Sequence, residues 1–115
     1  MRKSLDVFRS VAQEAFHLVN RGSRQKDYGD PLAPAIIAGR MIGAILHIPD
    51  VSPTRVPLIV MALKIVRETF QAKRDNRVDI AGYAEVLERI HHELAKKTLV
   101  GRSSRRIRAT HRVRK

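Results

Sequence analysis

Pro57-Leu58-Ile59-Val60-Met61-Ala62-Leu63-Lys64-Ile65-Val66 is the stretch on which the fold turns. It is apolar on every side of a helix except at Lys64, and a helix that is apolar all round belongs at the centre of its domain. Ser52-Pro53 ahead of it reads as a cap followed by a proline in the first turn, so the helix spans about Pro53 to Gln71. Pro57 is tolerated only near a helix start, so the regular part begins there. Lys64 is then the odd residue of the most buried element, and such a lysine needs water or a partner for its charge. Either it reaches the surface and pairs with Glu68 at i+4, or Lys64 and Arg67 line a pocket and hold an anion or a carboxylate.

Outward from this centre the chain reads as helices joined by short connectors. Upstream, Asp30-Pro31 repeats the cap-then-proline signal and opens a helix to about His47. Gly39 and Gly43 lie four apart in it, which lets another helix approach closely. Before that, Leu5, Phe8, Ala12, Ala15, Phe16 and Val19 fall on one face of a helix from about Ser4 to Asn20, and Gly22 is placed to cap it. Downstream, Asp75 caps a fourth helix to about Lys97, with Ile80, Ala84, Leu87, Ile90 (or His91) and Leu94 as its apolar stripe. No alternating strand pattern is present. The expected fold is all-α, a compact four-helix bundle-like domain over residues 1–100 with a flexible basic tail over 101–115.

Composition sets the outer limits. The chain has 115 residues, one domain's worth, and 43% hydrophobic residues, enough for a core. A domain this short leaves much apolar surface exposed, so a homo-oligomer is expected. The absence of cysteine removes disulfides, thiolate chemistry and cysteine-rich zinc sites. Met1-Arg2-Lys3 leads into a charged amphipathic helix and not an apolar run, and Ala33 to Ile48 is interrupted by Arg40 and His47 and is shorter than the roughly 20 residues that span a bilayer. The expectation is a cytoplasmic protein, host-cytoplasmic if phage-encoded, with no membrane partner.

The charge is +12 and unevenly spread. Arg102, Arg105, Arg106, Arg108, Arg112, Arg114 and Lys115 follow Gly101 with no acid among them, which leaves the first 100 residues at +5. Such a polycation binds phosphate backbones without reading sequence, which makes non-specific nucleic acid a candidate partner. No recognition helix of a helix-turn-helix is evident in the body.

Three blocks carry the remaining chemistry. Asp75, Asp79 and Tyr83 recur at helical spacing and share one face, while Gly82 in mid-helix suggests a close approach by another helix or a ligand. Asp75 and Asp79 are the candidate metal ligands or the partners that orient Lys64. Arg24, Lys26, Asp27 and Tyr28, in the polar segment before Asp30, are candidates to fold over the mouth of a site, with Tyr28 stacking on a ring. His91 and His92 are adjacent and diverge by about 100° on a helix, a poor chelating geometry. There is no glycine-rich phosphate loop.

Taken together, Arg24-Gln25-Lys26-Asp27-Tyr28-Gly29-Asp30-Pro31, Leu63-Lys64-Ile65-Val66-Arg67 and Asp75-Asn76-Arg77-Val78-Asp79-Ile80-Ala81-Gly82-Tyr83-Ala84 resemble a family of small phage and prophage proteins of unknown function. More distantly, the layout is similar to phage nucleotide-modification-associated domains and to the MazG-like all-helical nucleoside triphosphate pyrophosphohydrolases. Those enzymes hold Mg²⁺ with a Glu-Glu-x-x-Glu cluster on one helix and Glu-x-x-Asp on the next. Asp75 or Asn76, with Asp79, matches the second half; Lys64, Arg67 and Glu68 stand where the first half would be. The resemblance implies a nucleotide or related phosphorylated ligand, bound with or without Mg²⁺ and with or without hydrolysis. Lys64 and Arg67 would take the phosphate, and Tyr28 and Tyr83 the base. The alternative is a nucleic-acid-associated or host-protein interaction factor acting through the basic tail.

Overall fold

A computed structural model of the chain describes residues 10–20 and 30–113, with 103–113 described as backbone. Among these residues are four helices and no strand: α1 (Val11–Asn20), α2 (Leu32–Leu46), α3 (Val56–Phe70) and α4 (Arg74–Val113). The all-α bundle-like fold is the one the periodicity implies. α4 is its spine: α1 and α3 lie along it, and α2 closes the bundle against α3 and α4.

The start of α2 follows from its sequence. Asp30 Oδ1 accepts the Leu32 N–H at 2.9 Å, and Pro31 adopts helical angles without an N–H to leave unpaired. The helix stops at His47, which takes the left-handed conformation (φ 56°) while its own N–H and that of Ile48 bond back to the carbonyls of Ala44 and Gly43. The returning connector then lies on Gly39 and Gly43. A Cβ at Gly39 would stand 2.0 Å from the Val51 carbonyl oxygen, and one at Gly43 2.9 Å from that of Pro49. The close approach is therefore made by the connector's backbone and not by a second helix, because the αL turn folds the chain straight back over these two residues. The Val51 N–H completes the contact by bonding the Gly39 carbonyl at 3.0 Å.

In α3, the turn at residues 53–55 leads into a regular helix that begins at Val56 with Pro57 in its first turn. The helix is not enclosed on all sides. Val56 and Pro57 are buried and Val60, Met61, Lys64 and Glu68 half-buried, whereas Leu58, Ile59, Leu63, Ile65, Val66 and Phe70 are exposed. Among the described residues, α3 packs on α4 and more lightly on α2, and its other face meets no described element.

The stripes of α1 and α4 are met in part: Ala15 and Val19 on α1 and Ile90 and Leu94 on α4 face the packing, whereas Ala12, Phe16 and Ala84 do not. On α1, Ala15 is the buried residue, Val11, Glu14 and Val19 flank it, and Phe16 is about half exposed. Leu5 and Phe8, with the expected start at Ser4, lie outside the described residues, as does Gly22. On α4 the packed face is Val78, Gly82, Val86, Ile90 and Leu94, while Ala84 is exposed. Period alone identifies a helix; the neighbour decides its rotation. The core gathers Leu32, Ala35, Val56 and Ile90, with Ile36, Ile42 and Leu94 against it.

α4 also runs further than its capping signals suggest. It begins at Arg74, one residue before Asp75, and continues through Gly101 to Val113 instead of ending near Lys97. Its 40 residues correspond to about 60 Å of helix. No proline interrupts this run, its Arg, Lys, Leu and Ala are good helix formers, and one glycine costs only about 1 kcal/mol. The helical backbone of α4 thus takes in the first part of the basic segment, 101–113. No helix among the described residues is long and apolar enough to cross a membrane.

Candidate functional site

The packing of α1, α2 and α3 on α4 leaves a cleft of about 450 Å³ between them. Its walls are apolar: Leu18 and Val19 come from α1, Ala35 from α2, Pro57 and Val60 from α3, and Val86 from α4. Two side chains with polar ends line it, Asp79 and Tyr83, one turn apart on α4. Both are half-buried. Gly82, buried between them, also lines the cleft, and a Cβ there would meet only Val19 Cγ2 at an ordinary 3.6 Å. The close approach expected at Gly82 is thus a normal van der Waals contact with α1.

Asp79 is not an isolated acid. Its Oδ2 meets Lys64 Nζ at 2.9 Å, with side-chain exposures of 24% and 20%. The pair bridges α3 and α4 and gives the ammonium of the apolar helix its counter-charge. Lys64 therefore pairs across the helices and not with Glu68. Glu68 is engaged elsewhere, at the α3–α4 corner. It accepts the Lys73 N–H at 2.9 Å, Asn76 Nδ2 at 3.1 Å and the guanidinium of Arg77. These donors, led by the Lys73 N–H, hold its carboxyl below the ordinary glutamate range despite some desolvation.

Asn76, read from the sequence only as the alternative to Asp75 beside Asp79, has a structural role that the sequence reading did not indicate. It is buried, and its amide donates to Glu68 and, at 3.2 Å, to the Gln71 carbonyl, which fixes the turn between the two helices. The available signal was its position three residues before Asp79, on the inward side of the helix.

The other expected site residues separate. Arg67 and Asp75 are exposed, Asp75 in the first turn of α4, where a carboxylate complements the helix dipole. Arg24, Lys26, Asp27 and Tyr28 lie outside the described residues. Arg102 is exposed, Arg105, Arg106, Arg108 and Arg112 fall in the last turns of α4, and Arg114 and Lys115 lie outside the description. Glu14 on α1 is held by Arg74 at 2.9 Å and is not directed to the cleft as an acid for a metal.

Among the described residues, no three metal-ligating side chains gather. Asp75 and Asp79 alone face the metal role, and an ion on Asp79 would first have to displace Lys64. The cleft offers an apolar, ligand-sized enclosure with one phenol and one carboxylate in its wall, the carboxylate paired with Lys64.

No curated protein and no solved structure matches the chain. A family model described as a domain of unknown function, DUF6378, matches residues 10–91. That span takes in the cleft, the Lys64–Asp79 pair and the Glu68 corner, and the chain belongs to the DUF6378 family.

Proposed function

We propose that the protein binds a nucleotide or a related phosphorylated small molecule in this cleft. One observation carries the reading: an apolar cleft of about 450 Å³ has in its wall an aspartate that holds a lysine at 2.9 Å. Apolar walls with a few fixed polar groups are what a planar ring requires, and Tyr83 supplies a stacking surface. An ammonium has three donors, so Lys64 can keep Asp79 and still donate to a phosphate oxygen. Arg67, exposed three residues on, adds a second cation on the approach.

Binding without hydrolysis is the stronger form of this reading. Asp79 is the one carboxylate among the residues lining the cleft, and Lys64 neutralises it. The hydrolytic form rests on the resemblance of the three blocks to phage nucleotide proteins and MazG-like pyrophosphohydrolases. It would recruit Mg²⁺ through Asp75, Asp79 and the substrate's own phosphates.

The test is thermal unfolding of the full chain against nucleoside mono-, di- and triphosphates, with and without Mg²⁺. A ligand that binds the folded state raises Tm by mass action. A rise confined to one nucleotide class and lost in Lys64→Met supports the reading. A flat panel with a folded protein ends it. Hydrolysis that disappears in Asp79→Ala would favour the enzyme over the binder.

A second reading is supported by the course of α4. Its helix carries Arg102, Arg105, Arg106, Arg108 and Arg112 beyond the bundle, a form suited to a phosphate backbone. Binding of mixed-sequence DNA or RNA that weakens steeply with salt and vanishes on removal of residues 101–115 would support it.

A further inference from the structure

We infer that a second copy of this chain packs against the outer face of α3. The inference is independent of the ligand assigned to the cleft, which lies on the opposite, inner side of the same helix.

The starting point is a mismatch between sequence and burial. From Pro57 to Val66, α3 is apolar all round except at Lys64, the composition of a helix covered on both sides. Among the described residues, only the side bearing Val56, Pro57, Val60, Met61 and Lys64 is covered. On the other side Leu58 is 50% exposed, Leu63 60%, Val66 52% and Phe70 88%, with Ile59 and Ile65 similar. At 100° per residue these six occupy an arc of roughly 160° that holds no charged residue between Val56 and Phe70, with the exposed Arg55 at its N-terminal end. Arg67 borders it.

The area suits a protein partner. Those six side chains expose on the order of 600 Å², at the top of the range for the largest apolar patch of a monomer and near the ~800 Å² that each partner gives a standard interface.

Three features select a second copy as the occupant. A two-fold contact sets a patch against itself, so the patch must be self-complementary, and an uncharged apolar face meets that condition. Ile59, Leu63, Val66 and Phe70 recur at spacings of four, three and four, the seam by which one helix interlocks with an identical one. Finally, two chains of +12 repel each other over most of their surfaces, and this face is one where they meet without opposing cations.

The experiment is sedimentation equilibrium of the full chain, wild type beside the Val66→Asp, Phe70→Glu double variant, with helicity checked by circular dichroism. Both residues are exposed, so the variant's own core is untouched. The expected result is a dimer for the wild type and a dissociation constant raised about 30-fold or more in the variant, the size of a hot-spot loss. Because the chain has no cysteine, Leu63→Cys provides a second readout: oxidation should yield a covalent dimer. A wild type that stays at 13.1 kDa to about 100 µM, where even a weak dimer would form, overturns the inference and leaves the face to a different protein or a lipid surface. A dimer that persists in a folded double variant, or a Leu63→Cys chain that associates without cross-linking, overturns it as well.

Discussion

Lys64 Nζ and Asp79 Oδ2 stand 2.9 Å apart across the α3–α4 interface, each side chain about four-fifths buried. The pair joins the apolar helix to the spine beside the cleft, and its loss should be felt by fold and site alike. Removing one member strands the other charge in a partly desolvated position, which costs more than an exposed pair and less than a fully buried one. Lys64→Met and Asp79→Asn should each destabilise by about 1–2 kcal/mol, and the double variant by less than their sum. Urea unfolding of all four proteins measures the coupling. Strict additivity would mean that the two charges do not interact.

Glu68 makes the α3–α4 corner sensitive to acid. Its folded carboxyl lies below the ordinary value of 4.5 because it accepts from the Lys73 N–H, Asn76 and Arg77. A depressed carboxyl contributes stability that is fully present above the unfolded-state value and lost as pH falls through the folded one. The Tm difference between wild type and Glu68→Gln should therefore be constant from pH 7 down to about 5 and shrink below 4.5. A difference that does not change with pH would assign the loss to packing.

Two glycines of similar sequence context should answer oppositely to alanine. Gly39→Ala places a methyl 2.0 Å from the Val51 carbonyl oxygen, in a residue whose N–H is bonded to the Gly39 carbonyl, and should cost about 2–4 kcal/mol. Gly82→Ala meets Val19 at 3.6 Å and should be neutral or stabilising by up to about 1 kcal/mol through helix propensity. Thermal unfolding decides both. A severe loss at Gly82 would mean that α1 sits closer to α4 than described.

Ile90 has no exposed surface and Leu32 1%, and they belong to the same core cluster. Ile90→Ala should destabilise by about 2–5 kcal/mol, whereas Leu99→Ala, 63% exposed on the distal part of α4, should change stability by less than about 0.5 kcal/mol. Denaturant midpoints of the two variants provide the comparison.

Local chemistry was legible from the sequence wherever neighbours along the chain decide the outcome. Asp30-Pro31 marks the start of α2, Pro57 the start of the regular part of α3, and helical periodicity the all-α class, because caps, proline and period act within one or two turns. The sequence also singled out Lys64 and Asp79 as residues needing an explanation, since charges on apolar helices are costly wherever they sit.

Tertiary structure decided what depends on rotation and distance. That Lys64 takes Asp79 and leaves Glu68 to Asn76 and Arg77 follows from the angle at which α3 meets α4. That Ala15, Val19, Ile90 and Leu94 of the apolar stripes are packed while Phe16 and Ala84 are exposed follows from how α1 and α4 meet their neighbours, because packing sets helix phase. Gly39 and Gly43 receive a loop and not a helix because His47 reverses the chain onto them. The all-round apolarity of α3, read from sequence as burial within one chain, is matched by coverage on one side among the described residues. Periodicity reports how much surface a helix must bury; only the fold reports how much of it a single chain can cover.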